Sequence, residues 1–524
     1  MTRLALLVYH TLLQLYPPHF RADFGDEMLA VFAEKLADRE VTDWWGQLLV
    51  LLQELRDWPA ACLQAHWQGR HEMQLPFKRI AKWSVLVLAL AAIGWLVAFL
   101  GLISQAESPK TRAIALADLD GDGTLDAFLN NRGHETPAPA AVLLNEGNGR
   151  FRQLSQNLFS APSEDLLLYD ADNDGDMDAL QSNRDSRADS QYNSIFWLND
   201  GSGQFHQSGH LTLQDSSDKF IGDSSRHFSV GDLNSDGLPD LFSVGCCGGA
   251  HQIEPPGMEM VLTKPYRRVW LGKADELPQD SGQALDGPGS EAVALGDMDG
   301  DGDLDAFVAN NGLFSLDGPS EPAPNGVWLN DGTAVFQNSG QQLGNLRSFA
   351  VALGDVDGDG DLDAAVGNIG PDEIWLNDGT GQFRDSGQKF ANHWSDSIFL
   401  VDVDADGDLD LITDMESRRT FPLFPLSRIG YVWLNDGNGR FSSNPQLITY
   451  PTRGKLTVGD VNNDEAPDIV IGLVNKATVY LNNGTGHFTH QTVWSQSVLW
   501  LLGALGLSLA FGWWRRRSRL QSAK

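Results

Sequence analysis

Cysteine is scarce in this chain of 524 residues. Cys62, Cys246 and Cys247 are the only three, too few for a disulfide framework. The adjacent Cys246 and Cys247 could form a strained vicinal disulfide outside the cell, or could remain two thiols. The fold must therefore be stabilised by other means.

Basic residues are also few, with 37 Lys and Arg against 70 Asp and Glu, for a net charge of −33. Residues 107–490 hold 60 of the acidic residues and only 23 basic ones, a surplus of 37 negative charges. Such a surplus repels nucleic acid, and it destabilises a compact domain unless cations neutralise it. The sequence therefore predicts bound metal and no nucleic-acid partner.

Long hydrophobic runs are limited to two. Residues 83–103 carry no charge over 21 positions, which is long enough to cross a hydrocarbon core of about 30 Å as a helix. Residues 497–514 form a second, shorter run without charge. We expect two transmembrane helices, although the second run also resembles a C-terminal sorting tail that a protease removes.

Basic residues flank the two runs on their outer sides. Lys78, Arg79 and Lys82 precede the first, and an arginine cluster in the basic tail 515–524 follows the second. The positive-inside rule then predicts that both termini are cytoplasmic. The expected localisation is the bacterial inner membrane, with the middle of the chain periplasmic or extracellular.

One acidic motif recurs seven times between the two runs. It reads Asp-x-Asp/Asn-x-Asp followed by Asp at the ninth position, and six copies have Gly at the sixth. We call the nine-residue copies acidic loops 1 to 7: residues 118–126, 170–178, 232–240, 297–305, 355–363, 402–410 and 460–468.

Alternating carboxylates on a tight loop match the oxygen ligands of Ca²⁺, and Gly at the sixth position permits the sharp turn. The sequence predicts up to seven calcium sites, with side-chain ligands from positions 1, 3, 5 and 9 and a backbone carbonyl from position 7.

The predicted side-chain ligands are Asp118, Asp120, Asp122 and Asp126; Asp170, Asp172, Asp174 and Asp178; Asp232, Asn234, Asp236 and Asp240; Asp297, Asp299, Asp301 and Asp305; Asp355, Asp357, Asp359 and Asp363; Asp402, Asp404, Asp406 and Asp410; and Asp460, Asn462, Asp464 and Asp468. The predicted carbonyl donors are Thr124, Asp176, Leu238, Asp303, Asp361, Asp408 and Ala466.

The loops lack a feature of EF-hands, because none has a carboxylate at the twelfth position. Short apolar runs flank each loop and are typical of strands. Later in each repeat, a strand ending in Trp-Leu-Asn-Asp-Gly or a variant precedes a turn and a Phe, which indicates a hairpin. Four strands per repeat, seven times, predict a mainly β fold: a seven-bladed β-propeller over residues 107–490.

These paired motifs resemble the FG-GAP/VCBS repeats found in integrin α-subunit heads and in many bacterial surface proteins. The resemblance covers roughly residues 107–490 and implies calcium binding by the acidic loops. Loops 3 and 7 depart from the pattern, because Asn234 and Asn462 replace the third Asp and Glu465 replaces the glycine of loop 7.

Residues 1–80 read as a cytoplasmic domain of amphipathic helices. The stretch 15–28, which begins Leu-Tyr-Pro-Pro-His-Phe-Arg, resembles the prefix domain that precedes the membrane part of some bacterial permeases. No multi-span transporter segment follows, so the sequence does not predict transport. The expected role is anchoring or docking to a partner.

Function is expected to be binding rather than catalysis, because no nucleophile elbow, zinc spacing or phosphate loop is present. Loops of variable length should gather on the blade face opposite the acidic loops, which favours a recognition surface for a protein or glycan. The leading hypothesis is an integrin-like adhesion, recognition or complex-assembly module. A polysaccharide-active enzyme and a purely structural spacer are the alternatives.

Overall fold

The computed structural model describes Met28, Val31 and residues 110–132, 138–156, 158, 163–183, 194–211, 227–245, 267–274, 276–312, 321–416, 427–451 and 454–491. The predicted helical domain 1–80 (apart from Met28 and Val31), the predicted spans 83–103 and 497–514 and the tail 515–524 lie outside these residues. From Lys110 to Gln491, the described residues form strands, turns and bends and no helix. Within the described part of the chain, no helix is long and apolar enough to cross a membrane.

In the described part of the chain, twenty-six strands form antiparallel sheets that succeed one another in sequence order. The first three sheets are β1 (Lys110–Ala117), β2 (Asp126–Arg132), β3 (Ala141–Asn145) and β4 (Phe151–Gln153); β5 (Ser163–Tyr169), β6 (Asp178–Asn183), β7 (Ile195–Asn199) and β8 (Phe205–His210); and β9 (His227–Gly231), β10 (Asp240–Val244), β11 (Arg267–Lys273) and β12 (Glu276–Leu285).

The remaining strands are β13 (Ser290–Gly296), β14 (Asp305–Asn310), β15 (Gly326–Asn330) and β16 (Phe336–Asn338); β17 (Arg347–Gly354), β18 (Asp363–Leu376), β19 (Arg384–Val401), β20 (Asp410–Glu416), β21 (Ser427–Leu434) and β22 (Ser442–Pro451); and β23 (Lys455–Gly459), β24 (Asp468–Leu473), β25 (Lys476–Asn482) and β26 (Phe488–His490).

Five sheets have four strands each, and strands β17 to β22 form one sheet of six. The larger sheet contains two acidic loops, one between β17 and β18 and one between β19 and β20. Strand β19 pairs with β18 over Arg384–Trp394 and with β20 over Ser395–Val401. The sheet is therefore two repeat units joined by one continuous strand.

Buried apolar side chains lie between successive sheets. The second strands are buried almost throughout, as in β14, where every residue from Asp305 to Asn310 is buried. One core cluster joins Phe242 and Val269 of the third sheet to Trp328 and Phe336 of the fourth. Phe242 and Phe336 meet edge to face, with 5.0 Å between ring centroids. The recurrent tryptophans thus pack between sheets.

A recurrent glutamine joins each repeat to the next at several junctions. Gln341 donates from Nε2 to the carbonyl of Gly381 (2.6 Å) and accepts the N–H of Phe383 (2.8 Å). Gln156 and Gln388 make the same pair of bonds to the following repeat, whereas Gln283 and Gln446 both donate to the carbonyl and accept the N–H of the equivalent Phe. The sheets are therefore held in sequence by both apolar and polar contacts.

The first and last sheets also touch. Asn145 and Gly149 of the first repeat donate to the carbonyl of Val461 in the last, at 2.8 and 2.9 Å. Val461 and Val470 pack against Ile114 and Leu116. This repeat fold of four-stranded antiparallel sheets is consistent with a β-propeller.

Candidate metal sites

All seven acidic loops join two antiparallel strands and share one hydrogen-bonding pattern. The first Asp accepts the N–H of the sixth residue in every loop, at 2.8 to 3.1 Å. It also accepts N–H groups from the fourth or fifth residue, as Asp355 does from Gly358 at 2.7 Å. The backbone of the loop therefore curves around the carboxylate of its first residue.

The tight turn requires a left-handed backbone at two positions. In loop 5, Gly358 and Gly360 have φ of +77° and +94°. The sequence pattern predicted this conformation at the sixth position but not at the fourth. Loop 7 adopts it with Asn463 and Glu465, at +58° and +70°, which strains a residue that has a Cβ.

The ninth Asp is buried in every loop, at most 1% exposed. One oxygen accepts the N–H of the second residue of the loop, at 2.9 to 3.2 Å. The other accepts an N–H at the end of the third strand, at 2.7 to 2.8 Å. This carboxylate therefore fastens the loop to its sheet, as well as being a candidate ligand.

Burial raises the pKa of these ninth carboxyls, because the charged form loses solvation; the two N–H donors oppose the shift. The pKa rises to about 6 for six of them: Asp126, Asp178, Asp305, Asp363, Asp410 and Asp468. The pKa of Asp240 is also raised. A nearby cation would favour the ionised form.

The third Asp carries the clearest sign of a metal site. In five loops its Oδ1 is buried and has no hydrogen-bond partner. These five residues are Asp120, Asp172, Asp299, Asp357 and Asp404. Burial and the neighbouring carboxylates of the fifth and first positions raise their pKa. A buried carboxylate oxygen without a donor is unfavourable unless a cation binds it.

The same five loops bring three carboxylates together, with ligand oxygens within 4.8 Å of one another. The groups are Asp118, Asp120 and Asp122; Asp170, Asp172 and Asp178; Asp297, Asp299 and Asp305; Asp355, Asp357 and Asp359; and Asp402, Asp404 and Asp406. Hard carboxylate oxygens at this spacing fit Ca²⁺. These groups could hold metal ions.

Loops 3 and 7 differ from the other five at the third position. Asn234 donates from Nδ2 to Oδ2 of Asp236 at 3.0 Å, and Asn462 does the same to Asp464 at 2.8 Å. An amide donor therefore satisfies the fifth carboxylate in these two loops. Among the described residues, neither loop gathers three carboxylates within ligand distance.

In acidic loops 2, 4, 5 and 6, the side chain of the seventh residue, an Asp, lies against a Gly of the hairpin turn. A Cβ placed on Gly379 would lie 2.6 Å from Oδ2 of Asp361, and one on Gly332 would lie 2.5 Å from Oδ2 of Asp303. In these repeats, the hairpin turn and the acidic loop therefore lie at the same end of the sheet. This placement favours the carbonyl of the seventh residue, rather than its side chain, as the ligand.

Acidic loops between antiparallel strands are the part of the chain in which a known family of repeats is found. Three segments of the chain are FG-GAP-like repeats. A family model with that description matches residues 118–181, 297–366 and 355–413, which include acidic loops 1, 2, 4, 5 and 6. These are the five loops with an unpartnered Oδ1. FG-GAP-like repeats suggest a β-propeller of recognition or adhesion type.

Similar solved structures share low sequence identity with the repeats. One is an Agrocybe aegerita lectin that recognises non-reducing terminal N-acetylglucosamine; it has 14% identity and a TM-score of 0.42, and the match covers 72% of this chain and 92% of that one. Another is a functionally unknown protein from Desulfotomaculum acetoxidans, with 10% identity and a TM-score of 0.41, over 68% and 98% of the two chains. No curated protein matches the sequence.

An asparagine that recurs in six repeats has a role that the sequence patterns did not assign to it. The Asn of Trp-Leu-Asn ends the third strand, and the positive φ of the hairpin belongs to the two glycines that follow, such as Gly201 and Gly203. Its backbone N–H is the donor to the ninth Asp, as in Asn199 to Asp178. In the sequence, this role was indicated only by the recurrence of the Asn in six repeats.

The face opposite the acidic loops is described only in part. Residues 184–193, 246–266, 313–320 and 417–426, the centres of the predicted variable loops, lie outside the described residues. Arg267, at the edge of one such loop, is 2% exposed and donates to Ser290 and Asn310 at 2.9 Å. Its guanidinium therefore links the third and fourth sheets and is not available to a partner.

Proposed function

We propose that the chain is a membrane-anchored, calcium-binding, seven-bladed β-propeller that acts as an adhesion, recognition or complex-assembly module. The observation that carries the calcium proposal is the buried Oδ1 of the third Asp, which lacks a donor in five loops. A bound Ca²⁺ would neutralise the clustered carboxylates and supply the partner that this oxygen lacks.

The seven-bladed architecture is supported by the equivalence of the seven loops and by the contacts of the first sheet with the last. In this arrangement β19 provides the outer strand of one blade and the inner strand of the next. The acidic loops would then lie at one end of the blades, and the loops between the second and third strands at the other.

The proposed topology rests on the two apolar runs and their flanking basic residues. Residues 83–103 and 497–514 would cross the inner membrane, so that residues 107–490 face the periplasm or the exterior. The propeller would then encounter millimolar to submillimolar calcium, the range in which extracellular calcium modules operate. The ligand would be a protein or glycan on the variable face, and no catalytic step is proposed.

Melting of the full-length chain with calcium or with EDTA tests the metal proposal. A single site stabilises the fold by about 2.7 kcal/mol when calcium is 100-fold above its Kd, so several sites should raise the Tm clearly. Magnesium at the same concentration should raise it less, because a flexible all-oxygen loop suits the larger ion. An unchanged Tm with calcium would overturn the proposal.

Capture of partners from the cell envelope tests the recognition role. The matched control changes the third Asp to Asn in all five acidic loops: Asp120→Asn, Asp172→Asn, Asp299→Asn, Asp357→Asn and Asp404→Asn. We expect one partner to co-purify with the wild-type chain in calcium and to be lost from this variant. Turnover of a glycan by the wild-type chain would instead favour an enzyme.

A further inference from the structure

One hydrogen-bonded path links successive acidic loops. In six repeats, the Asn at the end of the third strand donates from Nδ2 to the carbonyl of the second residue in the preceding acidic loop, at 2.7 to 2.9 Å. The pairs are Asn199 to Leu119, Asn330 to Leu233, Asn377 to Met298, Asn435 to Val356, Asn482 to Val403 and Asn145 to Val461. We call these six side chains the bridging asparagines.

Each bridging asparagine donates directly to the ninth carboxylate of the acidic loop in its own repeat. Through the second residue of the preceding acidic loop, it is also connected to the ninth carboxylate of that loop. The backbone N–H of Asn435 donates to Asp410 of its own repeat at 2.8 Å. Its Nδ2 donates to the carbonyl of Val356, whose N–H donates to Asp363 of the preceding loop at 3.0 Å. Only these two residues separate the two carboxylates.

The path runs through all seven loops and is interrupted once. It passes from loop 3 to 4, 5, 6 and 7, then from loop 7 to loop 1 through Asn145, and ends at loop 2. The third repeat has Gly272 where the others have the asparagine. A Cβ there would lie 2.4 Å from the carbonyl oxygen of Pro239, so the backbone leaves no room for a side chain.

The carbonyl that receives each bond belongs to the second residue of an acidic loop. The second residue of a loop stands between the first and third ligands, so the conformation of its peptide depends on how those two carboxylates are held. Without a cation the clustered carboxylates repel one another, which favours an expanded loop. With a cation they contract, which fixes the carbonyl to which the next repeat's asparagine donates.

We propose that the bridging asparagines couple neighbouring acidic loops, so that calcium in one loop raises the calcium affinity of the next. The inference rests on the proposed calcium binding and deepens it. Loops 4, 5 and 6 form one directly linked set and loops 1 and 2 another, and loop 7 connects the sets without being a strong site itself. The bridging asparagines are positioning residues, because they act on ligands of the metal and not on the metal.

Hydrogen exchange of the full-length chain during a calcium titration tests the coupling. The readout is the calcium concentration at which amides of loop 6, residues 402–410, become half protected. Asp357→Asn, which replaces one carboxylate oxygen of loop 5 by an amide NH2 and removes the negative charge, should raise this concentration about fivefold or more, the usual scale of coupling between sites. Asn435→Ala should raise it similarly, and the two changes together should add little to either alone.

Asn131→Ala is the matched control. Asn131 is also a buried strand asparagine, and its Nδ2 donates to the carbonyl of Pro139 at 2.9 Å, but it reaches no acidic loop. Loop 6 should keep its wild-type midpoint in this variant. If Asn435→Ala does not fold, Asn377→Ala combined with Asp299→Asn repeats the test between loops 4 and 5.

Two results would overturn the coupling while leaving calcium binding intact. In the first, loop 6 keeps its midpoint in Asp357→Asn. In the second, the effect of Asp357→Asn is as large in the Asn435→Ala background as in the wild type. Absence of calcium protection in every loop would overturn both the coupling and the proposed calcium binding, so the two failures are distinguishable.

Discussion

Acidic loops 5 and 3 have nearly the same backbone but differ in how their carboxylates are hydrogen-bonded. In both loops, the carboxylate of the first residue accepts the N–H of the sixth, and the carboxylate of the ninth residue is buried. In loop 5, Asp357 leaves one buried oxygen without a donor, whereas in loop 3, Asn234 supplies an N–H to Asp236. The comparison teaches that the residue at the third position, Asp or Asn, decides whether the loop keeps a buried oxygen without a donor.

The largest effect should come from making loop 5 resemble loop 3. Asp357→Asn removes one negative charge and introduces an amide donor to Asp359. We expect the loss of one bound calcium and of about 2.7 kcal/mol of the stabilisation seen at 100-fold excess over Kd. Calorimetric unfolding in calcium and in EDTA measures both. Equal loss of stability in the two buffers would indicate a packing defect instead.

The reverse change should create a site. Asn234→Asp gives loop 3 the full set of carboxylates on a backbone that already has Gly237 at φ +83°. We expect one additional calcium per chain by isothermal titration. Asn462→Asp is the control that should gain less, because Glu465 strains loop 7. If Asn234→Asp binds no further calcium, the third position is not decisive.

A smaller effect is expected from pH in EDTA. The ninth Asp carboxyls have pKa values raised to about 6, above the ordinary value of 3.8, so the folded chain binds more protons than the unfolded chain between these values. Stability without metal should therefore fall as the pH rises from 4 to 6. Saturating calcium should reduce or reverse this slope, because it favours the ionised carboxylates. Thermal melts from pH 4 to 7.5 in each buffer would show it.

The smallest effect concerns strain in loop 7. Glu465→Gly should raise the free energy of unfolding by about 1 kcal/mol, because glycine adopts positive φ without the Cβ penalty. Glu465→Gln, which removes the charge but keeps the Cβ, should give little of this gain. Chemical denaturation compares the three chains. A similar gain from Gln would assign the effect to charge.

Much of the repeat was predictable because it depends on local chemistry. The spacing of Asp355, Asp357, Asp359 and Asp363 indicated the loop, and the apolar runs around it indicated its strands. Asn435 could not be assigned in this way, because its partner Val356 is 79 residues away and the bond exists only when two repeats pack. The second hydrogen bond to Asp363 comes from the backbone N–H of Asn377 in the same repeat, 14 residues along the chain, and no sequence motif assigned it.

The number of tightly bound calcium ions tests the central claim most directly. Full-length chain is equilibrated with calcium at low micromolar to millimolar concentrations, and bound metal is counted by equilibrium dialysis and elemental analysis. The account predicts five ions per chain, with no further tight sites from loops 3 and 7. Seven equivalent ions, or none, would contradict it.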